Sequence, residues 1–350
     1  MRYLFFVSKL YGYSIARPVQ AAIRARGDEA AWFVHGVSDE HLHDDEQQLK
    51  TAEEVMNYQP DAVFVTSNWV PYFFPGAKVQ LFHGFNAEKR DEHIGHFRIR
   101  GDFDLYCTQG PSTTARFQQL AQQHGYFCAV ETGWPKVDPL FPGQKKNDEQ
   151  PELREQLGIN KPIVLYTSTF SRRLTAAPRL HNTIAQLASK GRWHWLVNLH
   201  PKMAPAIVDS YKALEGPNLN FIDTDNIIPL LKAADVMVSD TSSVIFEFML
   251  QDKPVITCRH RNPGPHLLNI QEANELEDAI NTALTQPTEL MFEARKYADR
   301  LHPYRDGCSS ERVLDATEAF LKNDYGKLKH KPLNLKRRIS TRRKLGYWQW

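Results

Sequence analysis

Residues 234–258, A-D-V-M-V-S-D-T-S-S-V-I-F-E-F-M-L-Q-D-K-P-V-I-T-C, constrain the fold more than any other stretch of this chain. Val236, Met237 and Val238 form a short apolar run of the buried-strand type, and Asp240 and Thr241 follow as good helix N-caps. From Val244 to Leu250 the residues are apolar around Glu247, which reads as a buried helix. Lys253-Pro254 stops it, and Val255, Ile256 and Thr257 begin another strand. This strand–turn–helix–strand unit calls for a parallel sheet. It also puts Ser242 and Ser243 in a helix's first turn, beside amides with no helical partner. Two hydroxyls and free amides there suit a phosphate or diphosphate; simple helix capping is the alternative.

The same rhythm runs through the chain. Apolar strands are expected at 3–7, 30–34, 61–66, 78–82, 105–108 and 127–131, with helices at 12–26, 46–57 and 112–124. It resumes with strands at 162–167, 193–199, 219–222, 236–238 and 255–257. Helices alternate with these at 175–190, 203–214 and 226–233, then follow at 272–285, 288–301 and from about 309 to 322. The fold class is α/β, and 350 residues suffice for two cores. The polar run G-Q-K-K-N-D-E-Q-P is the best linker, so the expected organisation is 1–145, 146–325 and a basic aromatic tail at 326–350.

Composition narrows the class. An apolar fraction of 42% fits a soluble globular protein, and no run of eighteen apolar residues offers a transmembrane helix. The opening M-R-Y-L-F-F-V-S reads as a first strand, too short in its apolar run for a signal peptide. Cys107, Cys128, Cys258 and Cys308 lack metal-ligand spacing and suggest a reducing compartment. The net charge of +2 is unevenly distributed: nine Lys and Arg and no acid follow Asp324, leaving about −7 for the rest. Basic residues followed by Tyr347, Trp348 and Trp350 suit an anionic bilayer surface, with a nucleic-acid arm and a solvated disordered tail as the alternatives.

Chemistry-bearing residues gather at strand ends, where open α/β sheets bind ligands. His83-Gly84 follows the fourth strand, with Lys89 and Arg90 beyond, and suits proton transfer near neutral pH. Y-T-S-T-F-S-R-R brings Thr169, Arg172 and Arg173 to another strand end. His200-Pro201-Lys202 follows a third, and Ser309, Ser310 and Arg312 open the last helix of the core. His35, His41 and His43 lie near acids, but their spacing favours a solvated loop over a metal site.

Seven segments occur in the order found in the CDP-glycerol glycerophosphotransferase family, the teichoic-acid primases and polymerases. They are H-G (83–84), T-G-W-P-K-V-D (132–138), L-Y-T-S-T-F (165–170), L-H-P (199–201), S-D-T-S-S-V-I-F-E-F (239–248), D-K-P-V-I (252–256) and D-G-C-S-S-E-R (306–312). The chain resembles that family most over 130–322. The resemblance implies a GT-B-like fold, two Rossmann-like domains facing across a cleft, with an acceptor-side N-terminal domain and a CDP-donor domain after it. It implies transfer of glycerol phosphate, or a related alditol phosphate, from a CDP-linked donor to a hydroxyl of a cell-envelope glycan or lipid-linked acceptor. CMP is released, with no metal and no cofactor. His83 resembles the general base, and His200 a second active-site histidine at the donor phosphates. Thr169, Asp240, Thr241, Ser242, Ser243, Ser310 and Arg312 fall at donor-binding positions. The implied setting is the cytoplasmic face of the membrane, reached through the tail.

One departure stands out. The family commonly has Thr-Pro-Leu-Lys after H-G, where this chain has Phe85-Asn86-Ala87-Glu88-Lys89, so the acceptor loop differs. The absence of a long N-terminal extension favours adding one or a few units. Two alternatives share these motifs: a GT-B sugar transferase or UDP-sugar 2-epimerase, because T-G-x-P-x-V-D also occurs in epimerases, and an inactive surface-docking module.

Overall fold

The computed structural model describes residues 1–85, 95–141 and 152–349. They form two compact units: Met1–Pro139 with Arg300–Trp350, and Leu140–Asp299. The first holds strands β1 (Arg2–Val7), β2 (Glu29–Val34), β3 (Ala62–Val65), β4 (Ala77–Gln80), β5 (Leu105–Thr108) and β6 (Cys128–Glu131). All pair in parallel in the order β2-β1-β3-β4-β5-β6. Helices α1 (Tyr11–Ala25), α2 (Ala52–Tyr58) and α3 (Pro111–His124) connect them. α2 starts later than the sequence predicts, because Thr51 caps it by accepting from the Glu54 amide at 3.1 Å.

The second unit opens with the short helix α4 (Leu153–Gln156). Its strands are β7 (Ile163–Ser168), β8 (His194–Leu199), β9 (Leu219–Phe221), β10 (Val236–Ser239), β11 (Val255–Cys258) and β12 (Leu268–Ile270). They too are parallel, in the order β12-β11-β10-β7-β8-β9. From β9 this is the Rossmann order, and its direction reverses between β7 and β10. Helices α5 (Ala177–Lys190), α6 (Pro205–Lys212), α7 (Ile228–Ala233), α8 (Val244–Met249), α9 (Leu276–Leu284) and α10 (Thr288–Leu301) accompany it. The near-continuous apolar strands are buried along their length, as strands covered on both faces require.

The unit boundaries differ from the expected ones. The chain enters the second unit at Leu140, but it returns to the first at Arg300, so 300–325 groups with the first unit. The physical reason lies in T-G-W-P-K-V-D. Asp138 is buried and accepts from the Ser309 amide (2.9 Å), the Ser310 amide (2.7 Å) and Ser310 Oγ (2.7 Å), capping α11 (Ser309–Leu321). The Trp134 amide donates to His302 Nε2 at 3.0 Å. Gly133 has φ +81°, and a Cβ there would stand 2.4 Å from Ser309 Oγ. On the other flank Arg26 of α1 pairs with Asp315 at 2.6 Å and Glu318 at 2.7 Å.

The tail is also bound rather than free. Lys331 pairs with Asp104 and Arg337 with Asp102, each at 2.7 Å. A last helix, α12 (Leu335–Leu345), follows. Arg342 is only 5% exposed. Its guanidinium donates to the Tyr72 hydroxyl at 2.6 Å and lies over the rings of Tyr72, Phe73 and Tyr347. Tyr347 stacks on Phe73 at 5.0 Å, so this aromatic is anchored on the protein. The terminal Trp350 lies outside the described residues.

Burial pushes His302 and His266 down to about 4, so both are neutral in the folded protein at neutral pH. The unfolded chain protonates each near 6.5, whereas the folded one resists until about 4. Stability is therefore fully present above pH 6.5 and falls as pH drops toward 4. The slope is about 1.4 kcal/mol per pH unit for each histidine. Denaturant unfolding of His302→Gln, which keeps an acceptor for Trp134, is expected to show a shallower acid slope than wild type between pH 6.5 and 4.

Candidate active site

Two sets of predicted residues occupy strand ends, one in each unit. In the first, β4 ends at Gln80, and Phe82 follows with φ +60°. A left-handed Phe costs about 1–2 kcal/mol, and it persists here because the ring is locked against His96 (4.8 Å) and Phe117 (5.0 Å). The turn delivers His83, half-buried, to the carboxyl end of the sheet. His83 Nδ1 lies 2.9 Å from the Thr66 carbonyl at the end of β3. A carbonyl only accepts, so Nδ1 carries the proton and Nε2 keeps its lone pair, the tautomer a base requires. Tyr11, at the start of α1, stacks on the imidazole at 5.1 Å and 20°. Lys89 and Arg90, expected beside this histidine, lie outside the described residues.

The second set sits where strand order reverses. β7 ends at Ser168, so Thr169 heads the loop to α5; β10 ends at Ser239, and Asp240–Ser243 lead to α8. Asp240, grouped with donor ligands from sequence, has a different task. It is fully buried and accepts from Ser168 Oγ (2.5 Å), the Thr169 amide (3.1 Å) and the Ala176 amide (3.0 Å). It is not the helix N-cap either: its carboxylate turns back to hold the β7–α5 loop. Thr241 Oγ1 accepts from the Arg261 amide at 3.0 Å, fixing the β11–β12 loop. Ser242 and Ser243 stand half-buried just ahead of α8, rather than within its first turn. Among the described residues neither hydroxyl has a hydrogen-bond partner.

His200 follows β8 directly and is exposed. Its Nδ1 accepts from the Lys202 amide at 3.0 Å, which puts the neutral ring's proton on Nε2. His200 packs on Phe170 at 4.4 Å, and Lys202 Nζ lies 5.7 Å from the same ring. The loops after β7 and β8 thus meet through Phe170. Its role was not foreseen, although it sits inside the Y-T-S-T-F motif. Thr169, Ser242, Ser243 and His200 share one carboxyl edge in this unit.

Ser310 and Arg312 belong to the last helix of the core, α11. Both lie in the first unit. Ser310 is buried and its hydroxyl donates to Asp138. Arg312 pairs with Asp306 and stacks on Tyr304 at 4.1 Å. Burial works against the Asp306 carboxylate, yet the Cys308 amide and this guanidinium hold it below the usual range. No local pattern announces the Asp138–Ser310 pairing, because the two residues are 172 positions apart.

Residues 106–260 match the model of the CDP-Glycerol:Poly(glycerophosphate) glycerophosphotransferase family. The family resemblance therefore stands, although the match begins earlier than 130 and stops before D-G-C-S-S-E-R. The teichoic acid glycerol-phosphate primase of Bacillus subtilis (strain 168) is 27% identical over 204 residues, covering 55% of this chain and 51% of that protein. The chain thus spans about half the length of this relative. Among solved structures, the wall teichoic acid polymerase TagF superposes with a TM-score of 0.68 at 14% identity, covering 93% of this chain and 90% of that one. A putative UDP-N-acetylglucosamine 2-epimerase from Listeria monocytogenes gives 0.63 at 15% identity, covering 92% and 97%. The fold is α/β and GT-B-like.

Removing the Asp240 carboxylate leaves the buried amides of Thr169 and Ala176 without an acceptor. Asp240→Ala is expected to destabilise the second unit by about 3 kcal/mol. Chemical denaturation checks the loss, and proteolysis between β7 and α5 checks that this loop is released first.

Proposed function

We propose that this protein transfers glycerol phosphate, or a related alditol phosphate, from a CDP-linked donor to a hydroxyl acceptor of envelope-polymer type. The observation that carries the reading is the polar edge at the Rossmann switch point: Thr169, Ser242, Ser243 and His200, inside the segment that matches the family. Hydroxyls, an N–H donor and the cations Arg172, Arg173 and Lys202 suit a diphosphate.

In this mechanism an acceptor oxygen attacks the donor's β-phosphorus in line. The new O–P bond forms as the bond to the bridging oxygen breaks, and CMP leaves with the electron pair. His83 Nε2 takes the acceptor's proton, while Nδ1–H stays on the Thr66 carbonyl and orients the ring. His200 Nε2–H donates to a phosphate oxygen where negative charge builds. Asp240 and Thr241 contribute by holding the loops that present these groups.

We assign α12 to a bilayer surface. Five of the nine tail cations are engaged by the protein: Lys331, Arg337 and Arg342 as described, with Arg338 over Tyr72 and Lys344 over Trp69. The outer side still shows Leu335 (63% exposed) and Ile339 (56%), with Leu333 and Trp348 nearby, among Lys336 and Arg343. Apolar side chains flanked by cations suit an anionic leaflet. Among the described residues no helix is long and apolar enough to cross a membrane.

Two outcomes test the reading. CDP-glycerol with an envelope extract should release CMP, and His83→Ala should slow this by about 10²- to 10⁴-fold with donor affinity near wild type. Turnover of a UDP-sugar instead of CDP-glycerol would replace it with the epimerase or glycosyltransferase reading. Combined Leu335→Ser, Ile339→Ser and Trp348→Ser substitutions should leave the thermal midpoint unchanged and abolish co-sedimentation with phosphatidylglycerol vesicles. Undiminished co-sedimentation would remove α12 as the anchor.

A further inference from the structure

Arg261 lies on the loop joining β11 to β12, at the same carboxyl edge as Thr169, Ser242 and Ser243. This loop is held at several points. Arg259 leaves β11 with φ +52°, which turns the chain sharply, and its side chain is secured by Glu272 at 2.6 Å. Asn269 Oδ1 accepts from both Thr257 Oγ1 (3.0 Å) and the His260 amide (2.9 Å). The Asn262 amide donates to His260 Nδ1 at 3.2 Å. The Arg261 amide then donates to Thr241 Oγ1 at 3.0 Å, immediately before the two serines. The backbone of Arg261 is thereby fixed within one side-chain length of Ser242.

The side chain itself is exposed, and among the described residues no carboxylate lies within ion-pair distance of it. The same holds for Arg172, Arg173 and Lys202 on the loops after β7 and β8. Elsewhere in this unit Arg154, Arg179, Arg192, Arg259 and Arg295 all have acidic partners. Arg172, Arg173, Lys202 and Arg261 converge on this one edge from three loops, which creates a local positive field. Arg312, given a donor-phosphate role by the resemblance, has its charge met by Asp306.

We infer that Arg261 is a donor-binding residue that grips the diphosphate of a nucleoside-diphosphate-linked donor beside Ser242 and Ser243. Its planar fork can engage two phosphate oxygens at once, which an ammonium group cannot. The identity of the donor as a CDP-alditol rests on the function proposed above; the role of Arg261 toward a diphosphate does not.

The test is calorimetric binding to the full chain without acceptor, using CDP-glycerol, UDP-N-acetylglucosamine and CMP. Arg261→Gln should weaken CDP-glycerol binding by about 10- to 100-fold. Arg261→Lys should restore only part of this, CMP should lose less, and thermal midpoints should match wild type. Unchanged CDP-glycerol affinity in Arg261→Gln overturns the assignment and leaves the proposed function standing. If wild type binds the UDP-sugar instead and Arg261→Gln loses it, the assignment holds and the CDP-alditol reading fails. If wild type binds neither diphosphate, the assignment is overturned.

Discussion

The grip of Asp138 on the amides of Ser309 and Ser310 is the interaction on which the chain's organisation turns. A buried carboxylate at a helix N-terminus satisfies donors that would otherwise be orphaned, and it meets the positive end of the dipole. With the Trp134–His302 bond it lies just inside both points where the chain crosses between units, at 139–140 and 299–300. Breaking a buried carboxylate of this kind leaves an uncompensated polar site, so the return of α11 to the first sheet is enforced electrostatically. α11 then packs on α1, and the strap through Lys331, Arg337 and Arg342 follows over the same unit.

A second buried carboxylate repeats this logic in the other unit. Asp240 spends its charge on the loop after β7, and Thr241 spends its oxygen on the loop after β11. Three loops are thus locked together around the switch point of the sheet. The groups left facing outward are Ser242, Ser243, His200 and the cations on those loops. In S-D-T-S-S, the aspartate and the threonine are spent on neighbouring loops, and the two serines stay half-buried at the strand's carboxyl end. The motif's chemistry is divided by burial, a property that residue type does not encode.

Much of the fold was legible in the sequence for a simple reason. Parallel strands covered on both faces must be nearly continuous apolar runs, and those runs stand out at Leu4–Val7, Val63–Val65, Val164–Tyr166 and Val236–Val238. β12 was missed because Leu268–Ile270 is three residues long and contains Asn269, whose side chain serves the loop before it. α12 was missed because a run of Lys and Arg offers only a weak apolar stripe of helical period, and only the aromatic surface around Tyr72 and Phe73 makes it a docked helix.

By itself the sequence determined the α/β class, the two sheets, and the strand ends that carry His83, Thr169, His200, Ser242 and Ser243. Local periodicity and the chemistry of helix and strand termini specify those features without reference to distant residues. Only the tertiary structure decided which groups are spent on the protein and which remain to meet a ligand. It gave His83 its tautomer through a carbonyl 17 residues away and gave Ser310 to Asp138 across 172. Among the described residues it also left Arg261 without an acid while supplying one to Arg312. A charge or hydroxyl has no fixed role in isolation; its partners set that role, and in this fold those partners come from the far side of long loops.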